Sequence, residues 1–487
     1  VDPDDVRTRH EATLDAARPE AVAKRHAAGR RTARENVADL VDDGTWVEYG
    51  ALAVAAQRFR RSLDDLAATT PADGVVTGTG RIGGARAAVL AYDYTVLAGT
   101  QGLTGHRKSD RLFDVASRDG LPVVLFAEGG GGRPSDTDHV TVAALELMTF
   151  ASFARLRSLR VGIVAGYCFA GNAALLGMCD VTIGVTGANV GMGGPAMVDA
   201  AGLGAVTPSE IGPLAEHLAN GVVDVEAPSE AEAVAVAKRL VGLATPGEEW
   251  ECADQAALRD VVPANRRRAY DVRPVVRLLC DTGSVVELGA RHARNVVTAF
   301  GRVEGRAVGV LANDPMHLAG AIDAAAAAKA ARFLRLCDRL SLPVVSLVDS
   351  PGFMVGPAAE RAGLVRAAGD LFNAGAALRT PVVTVILRKG YGLGAMAMSG
   401  GSLHASRLTI AWPSAEIGAM GLEGAVRLAF RKELAAIDDE TERAEREAAL
   451  VALAYEHGKA LSAAASFELD DVVDPAATRS LVVATLF

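Results

Sequence analysis

Aromatic residues make up only 5% of the 487 positions, and there are just five cysteines. Cys168, Cys179, Cys252, Cys280 and Cys337 form no CxxC pair, so neither a zinc ribbon nor a dithiol redox centre has its ligand set. An odd, scattered set in a long chain reads as reduced, buried thiols filling core volume in a cytoplasmic protein. Basic residues are outnumbered by acidic ones, 50 to 59, and the resulting net charge of −9 argues against a general nucleic-acid binder. No apolar run approaches the ~20 residues of a membrane span, and no basic-then-apolar segment marks a secretory start. HExxH and GxSxG are absent, which leaves zinc-protease and serine-hydrolase chemistry without local support. The chain starts at Val1 rather than methionine, as expected of a polypeptide that is processed or cut from a longer one.

What is present is small and apolar. Half the residues are hydrophobic, 51 are glycine and 22% are charged, a composition for globular domains with close backbone approach. The length suits two to four domains. Internal repetition narrows that number. Val89-Leu-Ala-Tyr-Asp-Tyr-Thr-Val-Leu-Ala-Gly99 matches Val310-Leu-Ala-Asn-Asp-Pro-Met-His-Leu-Ala-Gly320 at seven of eleven positions, at an offset of 221. The same offset pairs Gly80-Arg81 with Gly301-Arg302, Leu121–Val124 with Leu342–Val345, and Gly171 with Gly392. Ordered blocks at one offset indicate a tandem duplication. The join is expected near residue 262, giving domains 1–262 and 263–487. Each half predicts a hairpin, then short all-apolar strands alternating with helices, which is the pattern of parallel βα units.

Gly78-Thr-Gly80-Arg-Ile-Gly83 fits GxGxxG, but a strand rather than a helix follows, so a hairpin turn is expected. Gly166-Tyr-Cys-Phe-Ala-Gly-Asn-Ala173 and Lys389-Gly-Tyr-Gly-Leu-Gly-Ala395 each follow a buried strand and precede a small-residue helix. Such a turn either packs closely and no more, or aims successive backbone N–H groups at a carbonyl that becomes anionic. Glu128 and Asp349 are equivalent by the repeat and end apolar strands; they either act in catalysis or, as expected, cap helices or form turns. Arg18–Arg34 carries six basic residues against Glu20 alone; it is either a solvated helix face or a site for a phosphate-bearing ligand.

These motifs resemble the carboxyltransferase subunits and domains of biotin-dependent acyl-CoA carboxylases, of the propionyl-CoA carboxylase beta type. The resemblance rests on Gly29-Arg-Arg-Thr-Ala-Arg-Glu35, Asp43–Gly50, Glu128-Gly-Gly-Gly-Gly-Arg133, Ala170-Gly-Asn-Ala173, Asp349-Ser-Pro-Gly-Phe353, Arg388-Lys-Gly-Tyr-Gly392 and Ala411–Glu416. It is strongest toward the carboxyltransferase domains of single-chain multidomain carboxylases. It implies an α/β fold of tandem crotonase-like (ClpP/crotonase) domains, the first on the acyl-CoA side and the second on the carboxybiotin side. It implies transfer of a carboxyl group from carboxybiotin to the α-carbon of an acyl-CoA, as in fatty acid metabolism. Gly171 and Asn172 would hold the thioester oxygen, and Gly392, Leu393 and Gly394 the ureido oxygen. Arg30, Arg31, Arg34, Gly130, Gly131 and Arg133 would meet CoA, while Pro351, Gly352, Phe353 and Met396 would form the biotin side.

The resemblance also implies partners: biotin carboxylase and biotin carboxyl carrier modules, in separate chains or the same longer one. Active sites would lie between the first half of one subunit and the second half of another, in a dimer-based hexamer. The family commonly has Gly-Gly at both turns; here Asn172 and Leu393 stand at the second positions, where side chains are expected to narrow the pocket. That leaves a biotin-dependent decarboxylase or transcarboxylase, or a non-catalytic acyl-CoA scaffold, as alternatives. Met396 replaces an acidic selectivity residue, so a longer or bulkier acyl group is expected.

Overall fold

The computed structural model describes residues 2–134, 136, 138 and 147–487. They form two compact units, Val1–Thr245 and Pro246–Phe487. The first unit holds β1 (Val47–Glu48), β2 (Val75–Ile82), β3 (Ala85–Tyr92), β4 (Val123–Phe126), β5 (Arg160–Val164), β6 (Tyr167–Phe169), β7 (Val181–Val185), β8 (Asn189–Gly191) and β9 (Val225–Ala227). Its main sheet runs β1-β2-β3-β4-β5-β7-β9, and β6 and β8 form a separate parallel pair. The strands β1 to β3 pair antiparallel and the rest parallel.

The second unit repeats this with β10 (Val286–Leu288), β11 (Val296–Val303), β12 (Arg306–Asn313), β13 (Val344–Ser350), β14 (Val382–Tyr391), β15 (Leu408–Ala411), β16 (Glu416–Gly418) and β17 (Asp471–Val472). Here β14 is long enough to pair with β15 along its first part and with β16 at its end, doing the work of both β5 and β6.

Sequence explains most of these elements. β4, all apolar, and β13, apolar but for Ser346, Asp349 and Ser350, are buried along their whole length, as befits central parallel strands. The GxGxxG stretch is the hairpin joining β2 to β3. Asp42 accepts both turn N–H groups, from Gly83 and Gly84, and its counterpart Asp281 does so for Glu304 and Gly305. Lys108 and Lys329, 221 apart, each bury an ammonium among backbone carbonyls. Four cysteines are buried as expected, but Cys252 is exposed. Among the described residues, no helix is long and apolar enough to cross a membrane.

Two features go beyond what the repeat predicts. The units divide between Thr245 and Pro246, upstream of the join expected at 262/263. The polar stretch after 245 belongs to the second unit because backbone pairing holds it there. Gly247 N–H donates to Gly305 O at 2.9 Å, Glu251 O accepts from Thr282 N–H at 2.8 Å, and Leu258 is fully buried in the second core.

The repeat also slips by one residue. β4 and β13 keep the offset of 221, but Val124 pairs with Val161 while Val345 pairs with Val383, an offset of 222. Farther on, Phe169 pairs with Gly191 and Tyr391 with Gly418, so 222 persists into the functional turns. Structurally Gly171 therefore matches Leu393 rather than Gly392, and Asn172 matches Gly394 rather than Leu393. The extra residue lies in the connection from β13 to β14.

Candidate active site

The first turn leaves β6 through Ala170 and enters the helix Gly171–Gly177. Ala170 has φ 51° and ψ −119°, a conformation that side chains rarely adopt, and its N–H donates to Gly191 O at 3.0 Å. The N–H groups of Gly171 and Asn172 come next, and among the described residues they donate to no acceptor. As the opening residues of a helix they have no intrahelical partner. Replacing Ala170 with glycine should relieve the strain and raise stability by about 1 kcal/mol, read as a higher urea midpoint. A lower midpoint would mean that Ala170 is not strained.

In the second turn the positive φ falls on Gly392, at 53°, the match of Ala170 under the 222 register. Leu393 and Gly394 N–H groups likewise meet no acceptor among the described residues. Leu393 is 61% exposed. Gly394 is buried, and a Cβ there would sit 2.6 Å from Gly352 Cα. Gly352 itself has φ 116° and is hooked to a neighbouring loop: Ile322 N–H donates to its carbonyl at 3.0 Å, and Met354 N–H returns to Ile322 O at 2.9 Å. The first unit makes the same hook between Gln101 and the pair Gly131 and Arg133, at 2.7 and 2.8 Å. Phe353 packs on Phe372, and Met396 is half-buried with its carbonyl accepting from Ser399 and Gly401.

Asn172 does not narrow the turn. Its side chain is fully buried beneath it, accepting from Gly131 N–H at 2.9 Å and donating to Gly99 O and Glu128 O at 3.3 and 3.2 Å. Of the glycines expected to meet CoA, Gly131 thus has its N–H occupied, while Gly130 is exposed.

Glu128 and Asp349 cap no helix; each ends its strand in a buried ion pair. Glu128 takes both guanidinium nitrogens of Arg25, at 2.9 and 2.5 Å. Burial raises the Glu128 carboxyl above its ordinary range, against the hydrogen bond and charge of Arg25. Asp349 is met by Arg388 at 3.0 Å and Lys389 at 3.5 Å.

The basic segment is largely spent on carboxylates. Arg18 pairs with Asp93, Arg25 with Glu128, Arg31 with Asp39 at 2.6 Å, and Arg34 with Glu48 at 2.8 Å. Arg30 instead reaches Thr186 O at 3.4 Å and keeps a carboxylate-free guanidinium among the described residues. Arg133 is unavailable to a phosphate: its side chain is 4% exposed and pairs with Asp73 and Asp136. Sequence reading passed over Arg25. The signal was there, since a carboxylate ending an all-apolar strand must find a cation or a donor set.

Comparison with known proteins identifies the family. A family model described as the carboxyl transferase domain matches residues 24–486. The chain is 35% identical to the methylmalonyl-CoA carboxyltransferase 12S subunit of Propionibacterium freudenreichii subsp. shermanii, over 96% of this chain and 90% of that protein. It is 33% identical to the propionyl-CoA carboxylase beta chain of Saccharopolyspora erythraea, over 99% and 91%. Among solved structures it superposes on a single-chain, multi-domain long-chain acyl-CoA carboxylase with a TM-score of 0.93 and 54% identity. That match covers 99% of this chain and 48% of the larger protein, so the chain spans about half its length. It also superposes on the hexameric transcarboxylase 12S, solved with methylmalonyl-CoA and methylmalonic acid bound, with a TM-score of 0.84, 32% identity, and coverage of 96% and 90%. Matched along nearly its whole length by model, sequence and structure, the chain is a carboxyltransferase and belongs to the carboxyl transferase domain family.

Proposed function

We propose that the chain moves a carboxyl group between biotin and the α-carbon of an acyl-CoA, on two related crotonase-like domains that each supply one backbone oxyanion hole. The observation that carries this is the pair of turns, each presenting two successive N–H groups without a protein acceptor. Gly171 and Asn172 stabilise the thioester oxygen as the α-carbon loses its proton and becomes nucleophilic. Leu393 and Gly394 would hold the ureido oxygen of the cofactor, and the direct packing of Gly394 on the Gly352 backbone fixes where those donors stand. Carboxybiotin supplies the carboxyl group and a basic ureido nitrogen. This suits a site whose strand-end carboxylates are both engaged in buried ion pairs. A single oxyanion donor is worth about 3–4 kcal/mol in other enzymes.

In this reading Arg30 is the CoA phosphate contact, and Gly392, the counterpart of Ala170, shapes its turn rather than donating. Met192 and Met197, exposed just beyond β8, provide apolar surface near the first turn for a long acyl group, in keeping with the long-chain carboxylase match. Biotin carboxylase and carrier modules, a hexameric assembly and a cytoplasmic setting belong to the same proposal. A scaffold without activity loses one of its two supports, because Asn172 points away from the donors it was expected to block.

The test is CO₂ release from malonyl-type CoA esters with free biotin, across short, branched and long acyl groups. Biotin-dependent turnover, highest with long chains, is expected; no turnover with any ester would overturn the reading.

A further inference from the structure

The two units brace the same point with asparagines from different places in the fold. In the first, Asn172 Nδ2 donates to Gly99 O, and in the second, Asn313 Nδ2 donates to Gly320 O, each at 3.3 Å. Gly99 and Gly320 are equivalent glycines of the repeat, both at positive φ. Each asparagine also reaches the end of the neighbouring strand. Asn172 Nδ2 bonds Glu128 O, and Asn313 Oδ1 accepts from Asp349 N–H at 3.3 Å. Yet Asn313 sits at the end of β12, where the first unit has Tyr92, and Asn172 sits in the functional turn, where the second unit has Gly394. Two sequence solutions to one bracing task indicate that the task matters.

The turns then differ in how they rest on their supports. Gly394 lies against Gly352 backbone, with no room for a side chain. In the first unit the gap is bridged by the Asn172 amide, whose oxygen and both of whose hydrogens go to Gly131, Gly99 and Glu128. The residue is fully buried, so water cannot replace these bonds without entering the core.

We propose that the Asn172 side chain is a positioning residue for the thioester side of the reaction: it spaces the first turn from the Gly99 and Glu128–Gly131 loops and so fixes where the Gly171 and Asn172 N–H groups aim. This rests on the function proposed above. The side chain touches no substrate; it acts through the backbone.

Asn172→Gly keeps the backbone donor and removes all three braces. Asn172→Asp keeps the shape but turns an acceptor toward the Gly99 and Glu128 carbonyls. Both should be measured in the full carboxylase with the preferred acyl-CoA, alongside thermal melts. Misplacing donors by about 1 Å costs on the order of 10²-fold in rate. We expect kcat to fall on that order in Asn172→Gly and further in Asn172→Asp, with KM for the acyl-CoA within about threefold, because the CoA contacts do not run through this amide. Should Asn172→Asp fail to fold, Asn172→Gly alone decides. Wild-type kcat in a folded Asn172→Gly enzyme would overturn the positioning role, as would a rise in KM with unchanged kcat. A wild-type enzyme without biotin-dependent turnover would instead overturn the underlying function.

Discussion

Replacing Arg25 with methionine is expected to cost about 3–5 kcal/mol of stability, because it strands a buried carboxylate without its cation. The Arg25 and Glu128 side chains are each 10% exposed and meet through two hydrogen bonds. Burial already favours the protonated form of Glu128, and the guanidinium is what opposes that. In Arg25→Met the opposition is gone, so the folded-state pKa rises further above the unfolded value. A carboxyl raised in this way gives its full stability below the unfolded pKa and loses it as pH rises through the folded one. The deficit against wild type should therefore be large at pH 7 and shrink as pH falls toward the ordinary carboxylate range. The double variant Arg25→Met with Glu128→Met should recover to within about 1 kcal/mol of wild type, since a well-packed apolar pair often equals a buried ion pair. Urea unfolding of wild type, Arg25→Met, Glu128→Met and the double variant at two pH values tests this. A pH-independent loss below about 1 kcal/mol would mean that the pair contributes little.

That pair shows what a sequence carries and what it withholds. The strands, their parallel order and the two turns were legible because the signals are local: apolar runs, helix periods, glycine at strand ends. The duplication was legible because identical residues survive at a fixed offset. One added residue between β13 and β14 was not. Small residues crowd both turns, so Gly171 aligns with Gly392 as readily as Leu393 does with Gly171. Only strand pairing and the positive φ values at Ala170 and Gly392 decide between the two. Charge pairing was equally hidden. Six basic residues in Arg18–Arg34 look like a phosphate surface until Asp93, Glu128, Asp39 and Glu48 arrive from elsewhere in the chain to claim four of them. The division at 245/246 was not legible for a related reason: backbone bonds such as Gly247 to Gly305 leave no trace in side-chain composition.

Gly394→Ala should cost the enzyme most of its activity for the addition of one methyl group. Helix propensity alone favours alanine here by about 1 kcal/mol, because the position is helical. The Cβ, however, would stand 2.6 Å from Gly352 Cα and 2.9 Å from its carbonyl carbon. These are backbone atoms and cannot rotate away, so the turn must retreat from the Gly352 loop. A retreat of about 1 Å takes the Leu393 and Gly394 donors off the ureido oxygen and costs on the order of 10²-fold in kcat. The first unit holds its own turn independently, so the dissociation constant for acyl-CoA should not move. Binding by calorimetry and biotin-dependent decarboxylation, run on the same preparation, separate the two. If Gly394→Ala kept its wild-type kcat, the second turn would not be a hole for the cofactor. If acyl-CoA affinity fell in step with kcat, the two turns would not divide the substrates as proposed.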